Sequence, residues 1–206
     1  MARLAPDGMA GPTAHDDQVD LDRAGNAARD MLAALGVYGD DETPGRLVRA
    51  LHEMTGGRLV DPRRHLTVQF PPTSSRPGPV VVEDVPFVSV CEHHVLPFTG
   101  HATLAYLPKP GQPIVGLSKL ARLVQEYAAR PQVQERLTDQ VVTGLMTALN
   151  PAGAACAVRG VHSCMTLRGA RTGQSSAMTT VQYAGVMDED PWRREFAARL
   201  VTPAWR

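Results

Sequence analysis

The densest group of reactive side chains is the run Cys91-Glu92-His93-His94, which directly follows the apolar segment VPFVSV. A thiolate and an imidazole three positions apart can bind one zinc ion if the chain turns between them. If a strand continued through this run, Cys91 and His93 would share one face and His94 would point away. The run therefore predicts a turn in which Cys91 and His94 share a metal and His93 is free for other chemistry.

A second reactive group, His162-Ser163-Cys164, lies within the apolar segment ACAVRGVHSCMTL. In a strand, positions 162 and 164 project to the same side. We therefore expect Cys164 to complete a metal site with Cys91 and His94, and His162 to stand beside the metal. Three protein ligands leave a fourth position for water, which is the pattern of a catalytic rather than a structural zinc site.

Each of these residue types also has a simpler interpretation. A lone buried cysteine usually behaves as a small hydrophobic residue, which is the interpretation we favour for Cys156. A structural zinc site with Cys156 as fourth ligand is disfavoured, because Cys156 lies about 26 Å before Cys164 along an unbroken strand. We expect ordinary hydrogen-bonded roles for the remaining histidines, which are His15, His52, His65 and His101.

Composition narrows the class of protein. The chain has 206 residues, of which 43% are hydrophobic and 20% charged, as in ordinary soluble globular proteins. Its 21 basic and 21 acidic residues balance, so its charge favours neither nucleic acid nor an anionic membrane as a partner. No apolar run approaches the roughly 20 residues of a membrane helix, and the N-terminus lacks the apolar stretch of a signal peptide. With only three cysteines, we expect a cytoplasmic protein.

The elements that must position these residues begin with a helical region. Residues 1–16 lack periodicity, and we expect a disordered tail there. Apolar residues at helical spacing predict a helix over about 17–36, and Thr43-Pro44 predicts an N-cap and first turn of a second helix that runs to Gly56-Gly57. We therefore divide the chain into the tail, an N-terminal helical region at 17–60 and a catalytic domain at 61–206.

The rest of the chain alternates between short β-prone runs and two amphipathic helices. Strands are predicted at 65–70, 80–90, 101–107, 154–168 and 177–186, and helices at 117–130, 132–149 and 191–200. Four or so antiparallel strands with two adjacent helices indicate an α+β fold.

Three long motifs, in the same order, resemble the GTP cyclohydrolase I family. They are PFVSVCEHHVLPFTGHATLAYLP, VGLSKLARLVQEYAARPQVQERLTDQ and VHSCMTLRG, and the resemblance extends from about Thr43 to the terminal RREF. It implies the tunnelling fold, an antiparallel four-stranded sheet with two adjacent helices, and subunit sheets joined into a barrel. It also implies a homodecamer with the active site between subunits, and no redox cofactor.

The resemblance assigns a role to each matching residue. Cys91, His94 and Cys164 become the zinc ligands, and His93 and His162 the acid–base histidines. Gln134 and Glu135 match the residues that recognise guanine. Further matches are the triphosphate contacts Arg46, Ser118, Lys119, Arg122 and Arg168, with Ser118 also a proton carrier.

Physical arguments agree with these roles. Ser118 is predicted at the start of a helix, where free main-chain N–H groups attract phosphate, and Lys119 and Arg122 share one helix face. The Glu135 carboxylate can accept two hydrogen bonds from the Watson–Crick edge of guanine. Without the resemblance, Lys119 and Glu135 would be interpreted as solvated helix charges. The segment at 175–187 departs from the family pattern, and we expect it to touch no ligand or catalytic residue.

The expected reaction converts GTP and water to 7,8-dihydroneopterin triphosphate and formate, the first step of tetrahydrofolate and pterin biosynthesis. One alternative stays open on the sequence. A divergent relative could stop at a ring-opened intermediate or supply a deazapurine product, because the motifs specify the ring-opening site and not the downstream pathway.

Overall fold

A computed structural model describes residues 19–37, 39–72, 74–173 and 176–200. The tail predicted at 1–16 lies outside the described residues. The chain separates into two units, one ending at His52 and the other beginning at Glu53. None of the described helices is long and apolar enough to cross a membrane.

The first unit contains helix α1 (Leu21–Ala34) and most of helix α2 (Thr43–Met54). Asp20 caps α1 by accepting a hydrogen bond from the main-chain N–H of Arg23 at 2.8 Å. At α2 the cap differs from the prediction, because Thr43 is the first helical residue. Asp40 stabilises the turn that leads into α2, since its carboxylate accepts from the Glu42 N–H at 3.1 Å and the Thr43 hydroxyl at 3.0 Å.

The second unit has an α+β architecture, which confirms the predicted fold class. Its strands are β1 (Gln69–Phe70), β2 (Val80–Cys91), β3 (Leu96–Leu107), β4 (Ile114–Val115), β5 (Pro131–Gln132), β6 (Gly153–His162) and β7 (Met178–Gly185). Its helices are α3 (Leu117–Ala128), α4 (Gln134–Leu149), α5 (Ser163–Thr166) and α6 (Trp192–Arg199).

The main sheet has the strand order β5-β2-β3-β6-β7. Its four long strands are antiparallel, as predicted, but the sheet has a fifth strand, because β5 adds two residues in parallel to the end of β2. Strands β1 and β4 form a separate two-stranded sheet. The predicted strand at 65–70 is wrong for its first residues, which belong to a 3₁₀ helix at Pro62–Thr67 that is capped by Asp61.

Helices α3 and α4 cover one face of the main sheet and bury their apolar sides there. Leu120, Leu123, Leu137 and Leu145 are fully buried against sheet residues such as Phe87. Burial of each such side chain contributes about 1.5–3 kcal/mol relative to exposure. The opposite face carries a smaller cluster made of Ala105, Leu107, Ala155, Ala157, Met187 and Phe196.

Strand β3 lies between the two strands that carry the reactive motifs. Near its start, Leu96 pairs with Cys91 of β2, and Phe98 pairs with His162 of β6. Because both neighbours are antiparallel to β3, both end where β3 begins. The fold therefore brings the Cys91 motif and the His162 motif to one edge of the sheet.

Gly100 is required for the close approach of β3 to β6, two residues from the Phe98–His162 pair. A Cβ at this position would lie 1.9 Å from the main-chain oxygen of Arg159 and 2.8 Å from Cα of Gly160. We expect Gly100→Ala to destabilise the protein by about 2 kcal/mol or more, because backbone must move. The thermal unfolding midpoint should fall by at least about 4 °C.

Gly56→Ala is the matched control, because a Cβ at Gly56 has no neighbouring atom within 4 Å. Its midpoint should stay near that of the unsubstituted protein. An unchanged midpoint for Gly100→Ala would contradict the close pairing of the two strands.

Candidate active site

Two thiols and one imidazole meet at this edge of the sheet. The ligand atoms of Cys91, His94 and Cys164 all lie within 4.8 Å of one another, and Cys91 Sγ is 3.8 Å from His94 Nδ1. Cys91 is buried, Cys164 is half-buried and His94 is exposed. Across the described ranges, no other three His, Cys, Asp or Glu side chains form such a group.

The predicted turn after Cys91 is present. Strand β2 ends at Cys91, and the main-chain N–H groups of His94 and Val95 both point to the Cys91 carbonyl oxygen, at 3.4 and 2.8 Å. Val95 takes a positive φ of 56°, which reverses the chain into β3. The turn directs His94 towards the thiols and leaves His93 exposed, with its ring centroid 6.3 Å from that of His94.

Cys164 reaches the group by a different route from the one predicted. Strand β6 ends at His162, and α5 begins at Ser163. The predicted strand at 154–168 is therefore too long, and the argument that positions 162 and 164 share a strand face is wrong. Instead, the single helical turn α5 carries Cys164 to the end of β2.

The donor group fits a soft divalent cation such as zinc. Burial, followed by the neighbouring Cys91 thiol, raises the pKa of Cys164. Two adjacent thiols resist ionisation together unless a cation offsets their charge, and zinc does this for cysteine ligands. With Zn–S near 2.3 Å and Zn–N near 2.0 Å, tetrahedral geometry separates sulfur and nitrogen ligands by about 3.6 Å. The 3.8 Å between Cys91 Sγ and His94 Nδ1 is close to this value.

Arg136 of helix α4 contacts the turn that follows Cys91. Its guanidinium binds the Glu92 carboxylate, the Gln132 side-chain oxygen at 3.0 Å and the Pro131 carbonyl oxygen at 2.9 Å. The Arg136 hydrogen bond lowers the pKa of Glu92. The Glu92 N–H also donates to the Gln132 carbonyl oxygen at 3.0 Å. The N-terminus of α4 is therefore held against the turn that carries Cys91 and His94.

His162 lies at the end of β6 between an aromatic ring and an amide. Its imidazole stacks on Phe98, with ring centroids 4.3 Å apart and an interplanar angle of 8°. Its Nε2 atom is 2.9 Å from Gln134 Oε1. Burial lowers the pKa of His162, and the charge of exposed Glu135 opposes this shift. The predicted acid–base histidine and the predicted guanine-binding glutamate therefore lie near each other.

Gln134 has a buried side chain rather than a free one. It is 1% exposed, and its Nε2 donates to the carbonyl oxygens of Val158 and Met178 at 3.0 Å each and to Thr180 Oγ1 at 3.2 Å. Neither Phe98 nor Thr180 was predicted from the sequence to belong to the site. Thr180 lies in the 175–187 segment that departs from the family pattern, and it contacts Gln134, which was predicted to bind guanine.

The predicted phosphate-binding residues are distributed over several elements. Ser118 and Lys119 occupy the first turn of α3, as predicted, and Arg122 follows one turn later. Arg168 follows α5 and acts electrostatically on Cys164. Arg46 belongs to the first unit, where its guanidinium binds Asp40 and Glu42 at 2.8 and 2.7 Å.

The first turn of α3 lies far from the metal donors along the helix. The other end of α3 is next to the end of β2, since Ser89 Oγ donates to the Arg130 carbonyl oxygen at 3.4 Å and Gln132 pairs with Cys91. From Ser118 to Ala128 the helix rises about 15 Å. One copy of the second unit therefore brings the metal donors, His162 and Glu135 together, and it holds Ser118 and Lys119 elsewhere.

An α+β unit in which this donor group lies beside a half-buried histidine is the arrangement of an enzyme with a candidate metal centre. The family model for GTP cyclohydrolase I matches residues 25–202, and the chain belongs to the GTP cyclohydrolase I family.

Three relatives are each named GTP cyclohydrolase 1. The protein of Rhodopirellula baltica is 44% identical over 192 residues, which are 91% of this chain and 82% of the relative. The protein of Clostridioides difficile is 40% identical over 190 residues, which are 90% of this chain and 98% of the relative. That of Streptomyces avermitilis is 42% identical over 188 residues, which are 89% of this chain and 92% of the relative. Among solved structures, the archaeosine synthase QueF-Like matches with a TM-score of 0.43 and 16% identity, over 53% of this chain and 95% of its own.

Arg136→Gln should loosen the turn that carries the metal donors, because it removes the guanidinium that joins Glu92 to β5. Partly exposed pairs contribute about 0.2–1 kcal/mol. Amide hydrogen exchange in a peptide covering residues 92–95 should therefore accelerate up to about fivefold.

Arg194→Gln is the control, since Arg194 of α6 forms a similar but more exposed pair with Asp190, which precedes that helix. It should leave exchange at 92–95 unchanged. Equal exchange in the Arg136 variant and the control would show that the turn does not depend on Arg136.

Proposed function

We propose that the protein is a zinc-dependent hydrolase that converts GTP and water to 7,8-dihydroneopterin triphosphate and formate. This reaction is the first step of tetrahydrofolate and pterin biosynthesis. The observation that carries the proposal is the Cys91–His94–Cys164 donor group within 4.8 Å, in a chain of the GTP cyclohydrolase I family. We further propose the cytoplasm as its location, because a site that depends on two thiolates requires reduced cysteines.

Cys91, His94 and Cys164 would hold the zinc. When bound, zinc supplies Lewis acidity and lowers the pKa of a coordinated water towards 7. A fourth protein ligand is disfavoured, because Cys156 is fully buried in the core of β6, where burial raises the pKa of its thiol. This argues for a catalytic site rather than a structural one.

The two histidines that do not bind the metal would move protons. His162 lies two residues before Cys164 and would deliver a proton to the imidazole nitrogen of GTP as the ring opens. His93 is exposed on the turn between two metal ligands, so it can reach a substrate that lies over the metal. It would act as a second proton carrier in the later rearrangement of the ribose.

The first turn of α4 would recognise guanine. Exposed Glu135 offers two carboxylate oxygens to the adjacent N–H donors of the Watson–Crick edge. The side-chain amide of Gln134 already forms hydrogen bonds with Val158, Met178 and His162. A contact between Gln134 and the base would therefore use the main-chain N–H, which is unpaired within the helix at this position.

The triphosphate would be bound by another copy of the chain. Ser118 and Lys119 would serve the metal centre of a neighbouring subunit, because along α3 they lie about 14–15 Å from the helix end beside Cys91. Arg122, one turn further along the same helix, would serve that centre with them. Arg168 and Arg46 would add further phosphate contacts, and Ser118 would carry a proton across the interface. This supports a homo-oligomer, and the family resemblance suggests a decamer with the tunnelling fold. Neither nucleic acid nor a membrane is a proposed partner.

The proposal is tested by incubating the zinc-loaded protein with GTP, oxidising the products and detecting neopterin by fluorescence. We expect neopterin and formate in equal amounts, and loss of both when the metal is chelated. Formate without neopterin would indicate that the reaction stops at a ring-opened intermediate, and the proposed product would then be wrong.

Alanine variants of the two adjacent histidines should separate their roles. His94→Ala should lose zinc and turnover together, because two remaining ligands hold zinc poorly. His93→Ala should keep zinc and lose about 10²–10⁴-fold in turnover, the usual contribution of a positioned acid–base group. Elemental analysis beside steady-state rates measures both effects, and the assignment is reversed if His93→Ala loses zinc while His94→Ala retains it.

A further inference from the structure

We infer that Gln134 is a positioning residue that holds His162 in the tautomer with its proton on Nε2, so that Nδ1 exchanges a proton with the substrate. The inference rests on the proposed catalytic role of His162 and adds which nitrogen of that ring performs it. It also gives the Gln134 side chain a task other than guanine recognition. A hydrogen-bond network around Gln134 fixes where each of these protons must lie.

The network begins at two threonine hydroxyls. Thr138 Oγ1 donates to the main-chain oxygen of Gln134 at 2.9 Å, because a carbonyl oxygen can only accept. Each hydroxyl carries one proton, so in the 2.6 Å contact between Thr138 and Thr180 the donor must be Thr180. The Thr180 proton is therefore used in this contact, and Thr180 Oγ1 accepts a hydrogen bond from Gln134 Nε2 at 3.2 Å.

The amide of Gln134 consequently has one allowed orientation. Its Nε2 faces three acceptors, since the carbonyl oxygens of Val158 and Met178 join Thr180 Oγ1 around it. The flipped amide would direct an oxygen at two carbonyl oxygens, and none of the three groups would have a proton to share. Oε1 must therefore face His162, and at 2.9 Å it can only accept.

His162 Nε2 must then be the donor and carry a proton. Stacking on Phe98 at 4.3 Å and 8° fixes the plane of the ring. Nδ1 makes no hydrogen bond to any residue that the structure describes, so it is the nitrogen left for a substrate proton. In many acid–base sites, a second group likewise fixes the tautomer of the active histidine by a hydrogen bond to its other ring nitrogen.

The kinetic test compares Gln134→Leu with Glu135→Gln. Gln134→Leu keeps a similar volume but cannot accept from His162, so kcat should fall about 10–100-fold while zinc content and the KM for GTP stay within about threefold. Glu135→Gln should instead raise the KM, since it places an amide N–H against guanine donors. If Gln134→Leu raises the KM and leaves kcat unchanged, its side chain reads guanine and the inference is overturned.

Thr180 offers a milder variant in case Gln134→Leu fails to fold. Thr180→Val preserves shape and removes the acceptor, so kcat should fall about three- to tenfold, and Thr180→Ser should restore it. Thr179→Val is the matched control, because Thr179 is exposed on the opposite side of β7. Equal kcat values for Thr180→Val and Thr179→Val would contradict the network.

A spectroscopic measurement reads the tautomer directly. Solid-state ¹⁵N NMR of the full-length, zinc-loaded protein with labelled histidine, at pH 8, should show His162 protonated at Nε2, with His162→Asn identifying its signals. Gln134→Leu should give a mixture of tautomers. Protonation at Nδ1 in the unsubstituted protein would overturn the inference, as would an unchanged tautomer in Gln134→Leu. This result is independent of whether the protein forms neopterin, which tests the proposed function separately.

Discussion

The candidate site depends on the main-chain pairing of β3 with both of its long neighbours. Leu96 pairs with Cys91 on one side and Phe98 pairs with His162 on the other, so two motifs some seventy residues apart end at the same edge. Neither motif could hold a metal alone, because each supplies at most two of the three donors. The hydrogen bonds of β3 therefore determine whether the donor group exists, and the absence of a Cβ at Gly100 leaves room for the close approach of β6.

Much of the fold and of the candidate site could be predicted from the sequence, and each wrong prediction has a physical cause. The turn after Cys91 was predictable because the alternative strand would direct His94 away from Cys91. The route of Cys164 was not, since the apolar run continues through Met165 and nothing local marks the end of β6 at His162. The inward direction of the Gln134 side chain could not be predicted either. It depends on acceptors from β6 and β7, and the pairing of those strands is a tertiary property that no local pattern records.

Helix α3 is the reason for proposing that one chain does not make a complete pocket. Its apolar face is buried along the whole sheet, from Leu120 to Ala128, so its position is fixed by the core rather than by any ligand. The same packing that stabilises the unit holds Ser118 and Lys119 about 15 Å from the helix end beside Cys91. If the proposed active site needs both groups, it must draw them from different copies, and catalytic competence would then be a property of the assembly.

The two-residue strand β5 has a consequence for selectivity. Because it joins the start of α4 to the end of β2, the proposed guanine-binding residue and the candidate metal ligands belong to one hydrogen-bonded piece of a single subunit. In the proposed oligomer, the groups for the triphosphate belong to another subunit. A shift between subunits would then alter the length of polyphosphate that the pocket accepts, and it would leave the preference among the purine bases unchanged.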